Sequence, residues 1–139
     1  MRLSVVFYQT GEATGLGRVY ASPIRVRLSE RDIVQPDLLY IERDRLAIVT
    51  DDLIEGPPDI VVEIFSPSTR SKDRNEKAKL YARFGVREYW QVDPRHRSVA
   101  VLILTDGAYE PRPTDDGVAR SAVLPGLVVD LAALFADLS

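Results

Sequence analysis

From Ser22 the chain alternates: in SPIRVRLSE, Ile24, Val26 and Leu28 fall on one side and Arg25 and Arg27 on the other, as in a strand with one wet face. After the polar SERD, IVQPDLLYIE predicts a second strand interrupted by Pro36, whose missing N–H implies an edge or a bulge. On that strand Asp37, Leu39 and Ile41 share one face. RDRLAIVTDDLIEG reads equally as a short helical turn or a loop, and Pro57 and Pro58 end it. PPDIVVEIFSPS is an almost unbroken apolar run, rich in β-branched residues and bounded by prolines, and predicts the most buried strand.

KDRNEKAKLYARF predicts a helix, with Ser71 as N-cap, Asp73 in the first turn, Gly85 as the C-terminal stop and an apolar stripe of Leu80, Tyr81 and Phe84. VREYWQVD and VAVLIL read as strands joined by the turn DPRHRS, and Asp106-Gly107 signals a hairpin into AYEPRP, so this half is expected to be antiparallel. The tail predicts a short strand around Val128 and Val129, then a helix carrying Leu131, Leu134, Phe135 and Leu138 at helical spacing. The elements together predict an α/β (α+β) fold, a mixed sheet flanked by helices.

A chain of 139 residues has the size of one domain, and 45% hydrophobic with 28% charged residues is ordinary for a globular protein, so residues 1–139 are expected to form a single domain. The absence of cysteine excludes disulfides, thiolate zinc sites and cysteine nucleophiles, and makes the cytoplasm the default location. The opening MRLSVVFYQTGEATG has too short an apolar stretch for a signal peptide or membrane span, so no membrane partner is expected. A formal charge of −3 argues against a wholly basic surface. The segment holding Arg70, Lys72, Arg74, Lys77, Lys79, Arg83 and Arg87 leaves room for a local basic patch, although a solvated helix face explains such a run as well.

Glu63 stands in the middle of the most apolar strand, where a carboxylate costs several kcal/mol unless paired, hydrogen bonded or bound to a cation. Asp59 lies on the same face but about 13 Å away at about 3.3 Å per residue, too far to share one ion. Asp37, on the expected neighbouring strand, can come within about 5 Å. Lys77 precedes Leu80, Tyr81 and Phe84 by three, four and seven positions, which places it on the inward face of its helix, where it can reach Glu63 and Asp37. Two carboxylates and an ammonium suit Mg²⁺, with Mn²⁺ as a substitute, and the hydrolysis of a nucleic-acid backbone. A structural Glu63–Lys77 salt bridge, with Asp37 as a turn residue, fits the same spacing.

QPDLLY followed by PPDIVVEIFSPSTRSKDRNEKAKLYARFGVREYWQVDP resembles the bacterial putative restriction endonuclease family of the PD-(D/E)XK nuclease superfamily, from about Val5 to the C-terminal helix. The resemblance implies a restriction-endonuclease-like core in which Asp37 and Glu63 hold a divalent metal. Phe65 occupies the position of the superfamily's usual lysine, which implies that the lysine has moved to the helix as Lys77. Asp59 and Tyr81 are then supporting residues. Family members usually open with a further segment bearing a glutamate, and the resemblance implies that this chain begins after it. DNA is the expected substrate and a homodimer the expected assembly, because a duplex has two strands to cut. The alternative is a catalytically silent module that binds nucleic acid or protein.

Other signals carry less. The single histidine, His96, stands in a predicted turn, so no histidine triad or zinc cluster can be built. GEATGLG lacks the lysine and Ser/Thr of a phosphate loop. Tyr81, Tyr89 and Trp90 can stack on bases but are expected in the core. Ser66 and Ser68 have no base beside them, and Asp51, Asp52 and Glu55 lack calcium-loop spacing.

Overall fold

The computed structural model describes residues 2–69 and 71–136, so Arg70 and Leu138 lie outside the described residues. In chain order the elements are α1 (Arg2–Phe7), a π-helical turn (Tyr8–Glu12), β1 (Gly17–Ala21), β2 (Val26–Arg27), β3 (Ile33–Val34), β4 (Leu38–Glu42) and a 3-10 helix (Arg43–Ile48). They continue as β5 (Ile54–Glu55), β6 (Ile60–Ile64), α2 (Ser71–Arg83), β7 (Glu88–Asp93), β8 (Ser98–Thr105), β9 (Ala108–Arg112), β10 (Val118–Arg120), β11 (Val128–Asp130) and α3 (Leu131–Leu134). Among the described residues no helix is long and apolar enough to cross a membrane.

The main sheet is mixed, in the order β1-β4-β6-β7-β8-β9. Only β6 and β7 run parallel, and α2 is the crossover between them. Every residue of β6 except Ile64 is buried, as the continuous apolar run requires. Alternation sorts the side chains onto two faces. Leu38, Tyr40, Ile60, Val62, Trp90 and Val92 pack with Leu3 and Phe7 of α1, and Leu39, Ile41, Val61 and Tyr89 pack with Tyr81 of α2 and with Val26, Val34 and Ile54. Asp59 and Glu63 fall on the α2 face, in step with Val61.

The α2 helix ends as expected: Gly85 takes φ +82°, the Gly85 N–H bonds the Ala82 carbonyl at 3.1 Å and the Val86 N–H bonds the Tyr81 carbonyl at 3.0 Å. A left-handed residue closed by these two bonds is a Schellman stop, and glycine adopts it without a Cβ penalty. Its start differs, since Ser71 is itself helical rather than the cap.

Three expectations need correction. The strand read from Ser22 is only Val26–Arg27, in a small separate sheet ordered β3-β2-β5; Ile24 and Leu28 do pack on the α2-side core, so the alternation reports burial rather than a long ladder. IVQPDLLYIE breaks at Pro36 into β3 and β4, which join different sheets, and β4 is interior rather than an edge. The C-terminal helix spans four residues, with Leu131, Leu134 and Phe135 packing on the α1-side core. Helix α1 and strand β1 were not anticipated, because a helix of only six residues and a strand of five leave little periodic signal.

Candidate active site

The carboxyl end of β6 gathers the chemistry. Glu63 is 7% exposed, and both its oxygens accept hydrogen bonds. The Tyr89 hydroxyl donates to Oε1 at 2.7 Å, and the Tyr81 hydroxyl and Lys77 Nζ donate to Oε2 at 2.8 and 3.3 Å. Tyr81 and Lys77 reach it from α2 one turn apart, and Tyr89 from the parallel neighbour β7. Burial, and then the adjacent Glu63 carboxylate, push both tyrosine hydroxyls far above their usual pKa, so they remain fixed donors.

Asp37 is clamped to the same stretch of β6. Its N–H donates to the Val62 carbonyl at 3.2 Å and its Oδ2 accepts from the Ile64 N–H at 2.7 Å, so the two bonds straddle Glu63. It is half-buried, whereas the Lys77 side chain is 40% exposed and lines a surface cavity of about 300 Å³ with Asp73, Glu76 and Leu80. Solvent therefore reaches Lys77 from the α2 side, while Glu63 and Asp37 do not line that cavity.

Asp59 does not belong to this cluster. At the opposite end of β6 it is fully buried; its Oδ2 accepts from the Glu42 N–H at 2.8 Å and pairs with Arg45 at 3.1 Å, while Arg87 stands 3.5 Å from Oδ1. A second buried carboxylate, Glu88, faces the other side of the sheet. It accepts from the Trp90 indole, the Ser121 hydroxyl and the Ala122 and Val123 N–H groups at 2.6–3.1 Å, anchoring the loop before β11. His96 is 70% exposed and bonds Asp93 within its own turn.

The donor set suits a hard divalent cation of the Mg²⁺ type, which needs only one or two carboxylates and keeps several waters. Among the described residues Asp37 Oδ1 makes no hydrogen bond, and Glu63 accepts three bonds where a carboxylate offers about four lone-pair positions. Hydrogen bonds from Tyr81 and Tyr89 to the back of Glu63 are the kind of support that orients a metal-binding carboxylate. No group of three or more His, Cys, Asp or Glu side chains that could hold a metal ion occurs among the described residues.

Tyr89 is the member of this cluster that the sequence placed in the core, with base stacking as the other role, and not beside Glu63. The available signal was its phase: on β7 it points to the same face as Glu63 on β6, and a buried carboxylate needs donors from its neighbours.

Among solved structures the chain is similar to a protein from Anabaena variabilis described as a putative nuclease belonging to DUF820. The TM-score is 0.77 at 17% identity, over 96% of this chain and 75% of that one. At that identity the likeness establishes the fold. No curated protein matches the chain. A family model described as Uma2, putative restriction endonuclease, matches residues 2–133, and the chain belongs to that family.

Proposed function

We propose that this chain is a Mg²⁺-dependent nuclease that hydrolyses phosphodiester bonds of DNA, with Asp37 and Glu63 as metal ligands and Lys77 as the cationic group beside the reacting phosphate. The observation that carries this reading is the convergence on one stretch of β6: Glu63 held by Tyr81, Tyr89 and Lys77, and Asp37 fastened to the residues on either side of it. A bound divalent ion would polarise the phosphodiester and lower the pKa of a bound water. Asp37 and Glu63 would fix the position of that centre. Lys77, tethered at one end of its reach to Glu63, would balance negative charge developing on the phosphate. Tyr81 and Tyr89 would hold the Glu63 carboxylate in one rotamer. Asp59 supports only the far end of β6. We further propose a homodimer working in the cytoplasm, since a duplex presents two strands.

One observation favours the silent-module reading: both Glu63 oxygens already have protein donors, as they would in a structural ion pair. Incubation of duplex DNA, single-stranded DNA and RNA oligonucleotides with Mg²⁺ separates the two. The expected result is DNA cleavage, abolished by EDTA and by Glu63→Ala in protein that stays folded. Cleavage of RNA alone would correct the substrate, and no cleavage of any of the three by intact protein would leave the silent module.

A further inference from the structure

Arg74 lies one helical turn before Lys77 on α2, so the two side chains project from the same side of the helix. Its guanidinium carbon stacks 4.5 Å from the centre of the Phe65 ring, and its Nη2 pairs with Asp93 Oδ2 at 3.1 Å. Phe65 follows Glu63 by two positions, and its N–H bonds the Val92 carbonyl at 2.8 Å. Arg74 therefore spans the carboxyl ends of the two parallel strands, next to the Glu63 cluster. Crevices at such strand ends are where open α/β sheets bind ligands.

The arginine is held but not satisfied. A guanidinium has five N–H donors in a rigid fork. Among the described residues Nη2 finds Asp93, while Nε is buried with no acceptor. Nε has no accessible surface, but the side chain is 31% exposed and Nη1 makes no hydrogen bond among the described residues, so an incoming group would meet the terminal nitrogens. Asp93 is itself shared, since His96 Nδ1 lies 2.9 Å from the same oxygen, and its carboxyl is held below the usual range against the opposing effect of its burial, chiefly by the hydrogen bonds from His96. A planar cation stacked on an aromatic ring, fixed by one carboxylate and left with unused donors, matches the two-oxygen edge of a phosphate.

We propose that Arg74 binds a backbone phosphate of the nucleic acid and thereby sets the strand against Glu63 and Asp37. This deepens the nuclease reading and rests on it for the identity of the ligand. Lys77, paired with Glu63, stands beside the reacting phosphate, whereas Arg74 holds a neighbouring phosphate of the strand. The two cations on one helix side divide the work.

Binding can be read without turnover. Fluorescence anisotropy of a labelled DNA duplex in EDTA, across a series of salt concentrations, compares intact protein with Arg74→Gln. Loss of one phosphate contact makes the slope of log affinity against log salt shallower by about 0.9, which at 0.1 M salt, referred to 1 M, is about eightfold weaker binding. Unchanged affinity and slope would overturn the proposal, as would intact protein that binds no duplex. A purely structural Arg74–Asp93 pair would lower Tm and leave binding untouched. If Arg74→Gln does not fold, Arg74→Lys keeps the charge but not the fork; it should keep the slope and bind more weakly, and unaltered affinity would again overturn the proposal. Binding that depends on Arg74 in a protein that cleaves nothing with Mg²⁺ would remove the nuclease reading and leave the phosphate contact standing.

Discussion

Replacing Tyr89 with phenylalanine removes one hydroxyl and keeps the ring, which packs 4.8 Å from Tyr81 and 6.0 Å from Tyr109 between centroids. The lost bond is a 2.7 Å donation to a buried carboxylate oxygen. A hydrogen bond to a charged group contributes about 1.5–3 kcal/mol, and Tyr89→Phe should lower stability by that amount at pH 7. The same hydroxyl has its pKa raised well above the ordinary value of 10. A raised native pKa means the folded state holds the proton more tightly, so the contribution is complete below pH 10 and declines as pH rises beyond it. At pH 11 the unfolded tyrosine is largely ionised while the buried one is not, which costs the intact protein about 1.4 kcal/mol that the phenylalanine variant does not lose. The gap between the two proteins should therefore shrink by about 1.4 kcal/mol from pH 7 to pH 11. Urea unfolding followed by fluorescence of the single tryptophan, the fully buried Trp90, measures both values. A gap that stays constant across this range, or a variant as stable as the parent at pH 7, would refute the assignment of Tyr89 as the donor that holds Glu63.

Further outcomes follow from the same geometry. Mg²⁺ at about a hundred times its Kd should stabilise the protein by about 2.7 kcal/mol, seen as a Tm rise of about 8 °C that EDTA reverses and Asp37→Asn abolishes. Gly17→Ala should destabilise strongly, because the added Cβ would meet the Ile41 carbonyl oxygen and the Tyr40 ring; a Tm within 1–2 °C of the parent, on the order of 0.5 kcal/mol, would contradict this. Glu88→Ala leaves the Trp90 indole and the N–H groups of Ala122 and Val123 without their acceptor, and should cost about 3–5 kcal/mol in urea unfolding while the site on the opposite face keeps its metal response.

Glu63 is legible in the sequence because a carboxylate inside IVVEI breaks an otherwise apolar run, and the helical spacing from Lys77 to Leu80, Tyr81 and Phe84 turns that lysine inward. The pairing of Asp37 with the same strand follows from adjacency alone. Tyr89 is not legible in the same way: an aromatic residue in a strand reads as packing, and only the tertiary register makes its hydroxyl a donor. Arg74 reads as one charge among many on a solvated helix until Phe65 and Asp93 are seen beneath it. The partners of Asp59, Arg45 and Arg87, come from separate segments that no local pattern links. The small β3-β2-β5 sheet escapes for a simpler reason. Two-residue strands contain too few positions to display a period.

Conversion of supercoiled plasmid to nicked and linear forms in Mg²⁺ or Mn²⁺, by intact protein, Asp37→Asn and Glu63→Gln, tests the central claim directly. With all three proteins matched for folding by circular dichroism, the intact chain should cleave only with metal and each variant should be slower by about a hundredfold or more. Folded intact protein that leaves the plasmid supercoiled with either ion, or variants that cleave as fast as the parent, would contradict a metal-dependent nuclease centre built on Asp37 and Glu63.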